Sequence, residues 1–323
     1  MSTDPFTADL HIPVSYKGQR IDRVLAELLD DASRSEIKNW ILSGSVTVDQ
    51  CIRRPSYRVK GNESISVRAH RSNVLDWDSQ QNVEFRVVFE DEHVLVIDKP
   101  PGVVVHPGAG NPDGTLVNGL IAHRPDLAQL PRAGIVHRLD KDTSGLLIVA
   151  TNRHSVEFLV DAISNRRVAR DYLCVVEGLM DTVQRTDLRI GRHPVHRTRN
   201  QVREDGREAL TTFLPLESFR LHTAVNAKLG TGRTHQIRVH AEAIRFPIVG
   251  DQTYGARGIL PKTPSNQLVQ LVRNFPRQAL HASDIEFVHP SSGTAMRFHS
   301  ETPKDMQLLL DVLREDRDSF LDS

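Results

Sequence analysis

The chain has 323 residues, 39% of them hydrophobic and 25% charged, with 19 Gly and 17 Pro, which excludes disordered, collagen-like and coiled-coil chains. This length exceeds what one core usually supports, so two domains are expected, one of them large enough to enclose a cleft. Net charge is zero, 41 basic residues against 41 acidic, and that sum alone argues against a polyanionic partner.

The distribution of charge argues the other way. Residues 52–71 hold six Lys or Arg and one acid, Glu63, while 189–203 hold five Arg, two His and no acid. Such segregation creates local positive fields of the kind that phosphate backbones neutralise, although charge runs of this length are also common as solvated surface. The N-terminal MSTDPFTADL carries acids and no apolar run, and no stretch approaches the roughly 18 apolar residues of a membrane span. Cys51 and Cys174 cannot form a disulfide framework and read as buried small hydrophobes in a reducing cytoplasm.

Taken in order, residues 15–71 read as a small module of two helices and a sheet. Ile21, Val24, Leu25, Leu28 and Leu29 recur at helical spacing, and Ser33 is placed to cap a second helix carrying Ile37, Trp40, Ile41 and Leu42, closed by Gly44. Val46 and Val48, then Ile65 and Val67, alternate as strands do, with Arg53, Arg54, Arg58 and Lys60 between them. Residues 72–82 lack periodicity and read as a linker. A larger domain over 83–323 follows. It opens with a hairpin, Val83–Phe89 and Val94–Ile97, joined by a turn at Glu90–Glu92. Further strands are expected at 145–150, 168–176, 221–229, 283–288 and 295–299. Helices are expected at 115–123, 156–163, from about Thr234, and at 304–314. Several strands follow one another directly, which predicts an α+β domain with a mixed, largely antiparallel sheet and flanking helices.

Two polar runs could carry chemistry. In VHRLDKDTSGLLIVA, 136–150, charged and histidine side chains precede an apolar strand, a common place for catalytic groups. Asp140 or Asp142 could instead cap a turn with Thr143 and Ser144. In GTGRTHQIRVH, 230–240, Thr234 is placed to cap a helix carrying Gln236, Arg238 and His240. An arginine there could fork with a carboxylate and keep it ionised, as a nucleophile requires, or could serve as an exposed anion clamp. Familiar ligand motifs fail on spacing. GAGNPDG is not a dinucleotide-binding loop, there is no P-loop, and no zinc-type His or Cys pattern occurs, so neither a metal nor a cofactor is expected.

The segments together resemble the RluA-type family of pseudouridine synthases, with VVHPGAGNPDGT and PRAGIVHRLDKDTSG most similar to its D-type branch. RIDRVLAELL, SRSEIKNWI and SGSVTVD resemble an S4 RNA-binding domain. HRLDKDTSGLL, the Arg170-Asp171-Tyr172 triplet, GRTHQIRVH and PIVGDQTYG fall in the family's order. The resemblance implies an isomerase that rearranges uridine to pseudouridine without a cofactor, in large-subunit (23S) ribosomal RNA, acting on ribosome precursors as a cytoplasmic monomer. A non-catalytic S4-type ribosome-assembly factor is the alternative. Under the resemblance Asp140 is the nucleophilic aspartate and Arg238 keeps it charged. Tyr172 stacks on the flipped base and is a candidate for removing the proton at its C5. Arg138 enters the space left by the flipped nucleotide. Substrate or RNA contacts are implied for His137, Arg170, Arg233 and His235, and in the S4 module for Arg34, Lys38, Arg53 and Arg54. Arg170 stands where many relatives carry Lys.

Overall fold

A computed structural model describes residues 4–29, 32, 34–71, 83–108, 111, 113–196 and 198–322. They fall into two compact units, one before and one after residues 72–82. The expected linker and the expected Ser33 cap therefore lie outside the described residues.

In the first unit the hydrophobic spacing becomes α1 (Ile21–Leu28) and α2 (Arg34–Leu42). A strand that the pattern did not announce, β1 (Asp4–His11), joins β2 (Val46–Val48), β3 (Cys51–Ile52) and β4 (Ser64–Arg71) in an antiparallel sheet of order β1-β4-β2-β3. Along β4, Ile65, Val67 and Ala69 turn inward, as the two-residue period of a strand requires. They pack with Ile21, Val24 and Leu25 of α1 and Ile37 and Ile41 of α2. Phe6 of β1 stacks on Trp40 with ring centroids 4.9 Å apart, tying the edge strand to the helices.

Two acids in this unit are structural. Asp22 is buried and held by Arg20 and Arg34, each at 2.9 Å. Glu63, the one acid in the basic run, is also buried and accepts from the backbone N–H of Lys60 and Gly61, both at 2.7 Å, and from the Tyr57 hydroxyl at 3.1 Å. Its charge is thus consumed internally, while Arg53, Arg54 and Lys38 stay exposed. Cys174, in the second unit, is buried as expected; Cys51 is exposed, because β3 is a two-residue edge strand with both residues facing outward.

The second unit starts with the hairpin β5 (Arg86–Glu90) and β6 (Val94–Lys99), its three connecting residues shifted by one from the expected turn. Then come α3 (Leu116–His123), β7 (Ser144–Ala150), α4 (Arg153–Ser164), β8 (Ala169–Glu177), β9 (Gln184–Thr186), β10 (Ile190–Arg192) and β11 (Asn200–Val202). The chain continues through β12 (Thr211–Ser218), β13 (His222–Leu229), α5 (Gln236–Ala243), α6 (Asn266–Arg273), β14 (Leu280–Val288), β15 (Ala295–His299) and α7 (Lys304–Leu321). The main sheet runs β5-β6-β7-β14-β8-β13-β12-β9, with β15 beside β14 and β10-β11 as a separate ribbon. Every pairing is antiparallel except β7 with β14, so the α+β expectation holds. Among the described residues no helix is long and apolar enough to cross a membrane.

Strands β6 and β7 are apolar almost throughout because both faces are covered. Leu95, Ile97, Leu147 and Val149 pack with Leu116, Val117 and Leu120 of α3, while Val94, Val96, Leu146 and Ile148 pack with Leu159 and Ala162 of α4. A rigid central strand therefore begins at Ser144, four residues on from Asp140.

The second residue of that strand is Gly145, whose φ of +111° no other residue type adopts readily. A Cβ there would run into the carbonyl of Ala282 in the paired β14. Gly145→Ala is expected to cost more than about 3 kcal/mol of stability, strain and overlap adding. Urea unfolding checks this, and a loss below about 0.5 kcal/mol would show that the β7–β14 junction can yield.

Candidate active site

Asp140 lies in an irregular run before β7, and its neighbours' backbone carbonyls are fastened from several directions. The fully buried Lys99, at the end of β6, donates from Nζ to the carbonyls of Pro100, Val103 and Lys141 at 2.8, 3.0 and 2.9 Å. Burial pulls its pKa down to about 7. Arg277, clamped to Asp305 at 2.6 and 2.9 Å, donates to the carbonyl of Asp142, and Gln278 donates to the Thr143 hydroxyl. The Thr143 N–H bonds back to the Asp140 carbonyl at 3.1 Å, so the turn expected from the sequence does form. It is closed by backbone, which leaves the Asp140 carboxylate free to face a cleft.

The cleft has a volume of about 910 Å³. Its wall includes Asp140, Tyr172 and Arg238, and also His137, Arg138, Arg170, Arg233 and His235. All eight residues singled out in the larger unit are therefore brought together. Arg34, Lys38, Arg53 and Arg54 belong to the first unit, where Arg34 is already paired with Asp22.

Arg238 is positioned by the start of α5. The residue flanking that helix is His235, in the left-handed region at φ 58°, and not Thr234. The first turn is held by the buried Gln236 side chain. It accepts from the Thr231 hydroxyl and the Arg233 N–H, and donates to the Leu210 carbonyl and the Thr211 hydroxyl, all between 2.7 and 3.0 Å. The Gln236 amide thus ties the loop that leads into α5 to the neighbouring strand, and no side chain caps the helix's own N–H groups in the way expected of Thr234.

The arginine fork exists, but it closes mainly on a carboxylate that the sequence reading did not single out. Arg238 Nε and Nη2 donate to Asp251 Oδ2 and Oδ1 at 2.6 and 2.9 Å, and Nη1 reaches Asp140 Oδ2 at 3.1 Å. Asp251 is wholly buried, and its Oδ1 also accepts the N–H groups of Thr253 and Tyr254. Burial opposes a charge on Arg238, but the two carboxylates outweigh it and raise its pKa. The guanidinium carbon lies 4.9 Å from the ring centroid of Tyr254, which also has Arg199 at 5.3 Å, so an aromatic face supports it. Asp251 and Tyr254 both fall in PIVGDQTYG, a segment visible in the sequence but without an assigned role.

His235 Nε2 stands 3.9 Å from Asp140 Oδ1, beyond hydrogen-bond length. Burial keeps its pKa below the ordinary histidine value, and its Nδ1 is bonded to the Tyr254 hydroxyl at 2.8 Å. Tyr172 projects from β8 and is 4% exposed; burial, with a contribution from Asp140, pushes its phenol up to about 12. It therefore presents a neutral aromatic face at physiological pH. Arg138 is exposed on the wall, and Arg233 donates to the Glu208 carbonyl at 3.0 Å. The arrangement offers one acceptor carboxylate, a guanidinium that fixes it, and a flat apolar surface beside both. A planar heterocycle attached to a polyanion fits these features.

Comparison with known proteins gives the chemistry a family. Residues 93–243 match the RNA pseudouridylate synthase family and residues 19–65 the S4 domain. A Xanthomonas campestris protein named ribosomal large subunit pseudouridine synthase D is 47% identical, the match covering 98% of this chain and 96% of that one. The proteins of that name from Pseudomonas aeruginosa and Yersinia pestis are 46% and 45% identical, covering 96% and 95% of this chain and 97% and 95% of their own. Among solved structures, human RNA pseudouridylate synthase domain containing 4 shares the fold at a TM-score of 0.55 and 21% identity, over 71% of this chain and 93% of its own. The chain belongs to the RNA pseudouridylate synthase family and is an isomerase.

Asp251→Asn keeps the shape but removes the charge that anchors Arg238. Breaking a buried pair in this way typically costs about 3 to 5 kcal/mol, and the misplaced guanidinium should lower the single-turnover rate at least about tenfold while RNA affinity holds. Rate and stability both at wild-type values would remove Asp251 from this role.

Proposed function

We propose that this protein converts uridine to pseudouridine in large-subunit (23S) ribosomal RNA, acting on ribosome precursor particles as a cytoplasmic monomer. Asp140 is its catalytic carboxylate. The reaction breaks the bond from N1 to C1′, turns the uracil within the cleft and joins C5 to C1′. The C5 proton is lost and N1 gains one, so the change is an isomerisation with no redox step. Loosening the glycosidic bond leaves positive charge on the sugar and negative charge on the uracil. A carboxylate fixed beforehand at that bond stabilises the first without reorganising. Tyr172 supplies the surface on which the extruded base stacks, and walls that exclude water keep the detached ring in place. Arg138, exposed at the rim, fills the space vacated in the RNA. The observation that carries this reading is the 3.1 Å contact from Arg238 to Asp140 in a cleft that Tyr172 also lines. A protein that only bound RNA would have no use for an acid fixed among its arginines.

The RNA-binding module spans residues 15–71, with the strand Asp4–His11 paired to it; 72–82 link it to the catalytic domain, 83–323. The relatives' name supports the ribosomal target, and the S4 match supports the division of labour. Arg53, Arg54 and Lys38, all exposed, would neutralise backbone phosphates, as would the arginines of residues 189–203. Those contacts offset the few kcal/mol needed to extrude a base.

Asp140→Asn should abolish pseudouridine formation while leaving RNA affinity within about tenfold. Mapping pseudouridines in ribosomal RNA from cells that carry only this variant is the readout, and a full complement of sites would reject the assignment. Removing residues 1–82 should weaken RNA binding and flatten its dependence on salt concentration. An unchanged salt slope would place the phosphate contacts elsewhere.

A further inference from the structure

Among the described residues, two buried donors on residues that line the cleft have no partner. Arg170, on the same face of β8 as Tyr172, is 5% exposed, its Nε is buried without a partner, and among the described residues no carboxylate pairs with its guanidinium. The acids around it are engaged elsewhere: Asp140 with Arg238, and Asp171 with Lys228 and Asn226 at 3.2 and 3.1 Å. The second donor is on His137. Its Nε2 accepts the Ile148 N–H at 3.0 Å, which fixes the ring as the neutral form protonated on Nδ1, and that Nδ1 is buried and unpaired. Burial, reinforced by the charge of Arg170, pushes the His137 pKa down to about 3. Tyr172, whose phenol stays protonated to about 12, supplies no counter-charge.

A buried cation without an anion is strongly unfavourable unless a ligand brings one. The slot for it is nonetheless built: Arg170 Nη1 passes so close to Gly232 that a Cβ there would lie 2.8 Å away. Before the glycosidic bond loosens, RNA offers one anionic group per nucleotide, the phosphodiester, and the uracil ring is neutral. The geometry points to Arg170 and the Nδ1–H of His137 as the seat of a phosphodiester oxygen of the strand that carries the target uridine. This rests on the cleft taking a nucleotide. It adds that the cleft grips the nucleotide by its backbone as well as by its base, and the phosphate would satisfy both unmet donors together.

The test compares uridine 5′-monophosphate and 3′-monophosphate with uridine as ligands of the full-length protein, by calorimetric or competition binding, and needs no turnover. The wild type should bind one of the monophosphates at least about tenfold more tightly than uridine. Arg170→Met, which keeps the apolar stem and removes the charge, should bind all three alike. Should that variant fail to fold, Gly232→Ala, which displaces Nη1, is expected to erase the same preference. No preference in the wild type, a preference retained in the folded variant, or equal weakening of all three ligands by Arg170→Met would overturn the inference; the last would indicate a contact to a uracil carbonyl. A wild type that prefers a monophosphate but modifies no RNA would sink the proposed reaction and leave this seat intact.

Discussion

The site depends on one guanidinium that serves two carboxylates at once. Arg238 gives Nε and Nη2 to the wholly buried Asp251 and has Nη1 left for Asp140. Asp251 cannot swing, because its Oδ1 also receives two backbone N–H groups. The arginine is therefore aimed by its own anchor, and Asp140 meets a donor whose position is settled before any substrate arrives. A lysine could not do this, since a point charge lacks the planar fork that divides two bonds from a third.

Backbone fastening completes the arrangement from the other side. Lys99, Arg277 and Gln278 hold carbonyls and a hydroxyl within three residues of Asp140, and β7, covered on both faces, begins just beyond. Loop and helix are thus each locked independently, and the Asp140–Arg238 contact joins two rigid bodies. Preorganisation of this kind is what electrostatic stabilisation of a charge-separated transition state requires.

Most long regular elements were legible because burial writes its period into them; the eight-residue β12, interrupted by a bulge after Pro215, was not among the expected strands. The alternating faces of β4, the apolar run of β7 and the 3.6-residue spacing of α1 each reflect what the segment packs against. The strands β9, β10 and β11 were not legible: each has three residues, and the last two lie in a stretch of arginines whose pairing is set by a partner strand. Helix α6 was not read although its eight residues match α1 in length, and Asp4–His11 escaped because its pairing partner is about sixty residues away. In the site, the identities of Asp140, Tyr172 and Arg238 followed from motifs, while the role of Asp251 did not. Thirteen residues separate it from Arg238, and only the turn after α5 brings the two side chains to bonding distance. Thr234 misled because a hydroxyl before a helix is the commonest cap, whereas here His235 flanks α5 and no side chain caps it, the Gln236 amide fixing the preceding loop instead.

The most direct measurement is the single-turnover isomerisation rate of Arg238→Lys on ribosomal RNA, alongside its RNA affinity. A cation that can satisfy Asp251 but no longer spans to Asp140 should lower the rate by about a hundredfold or more, the scale for losing one preorganised donor, with affinity changed little. A lysine enzyme that turns over at the wild-type rate would contradict the shared-guanidinium arrangement outright.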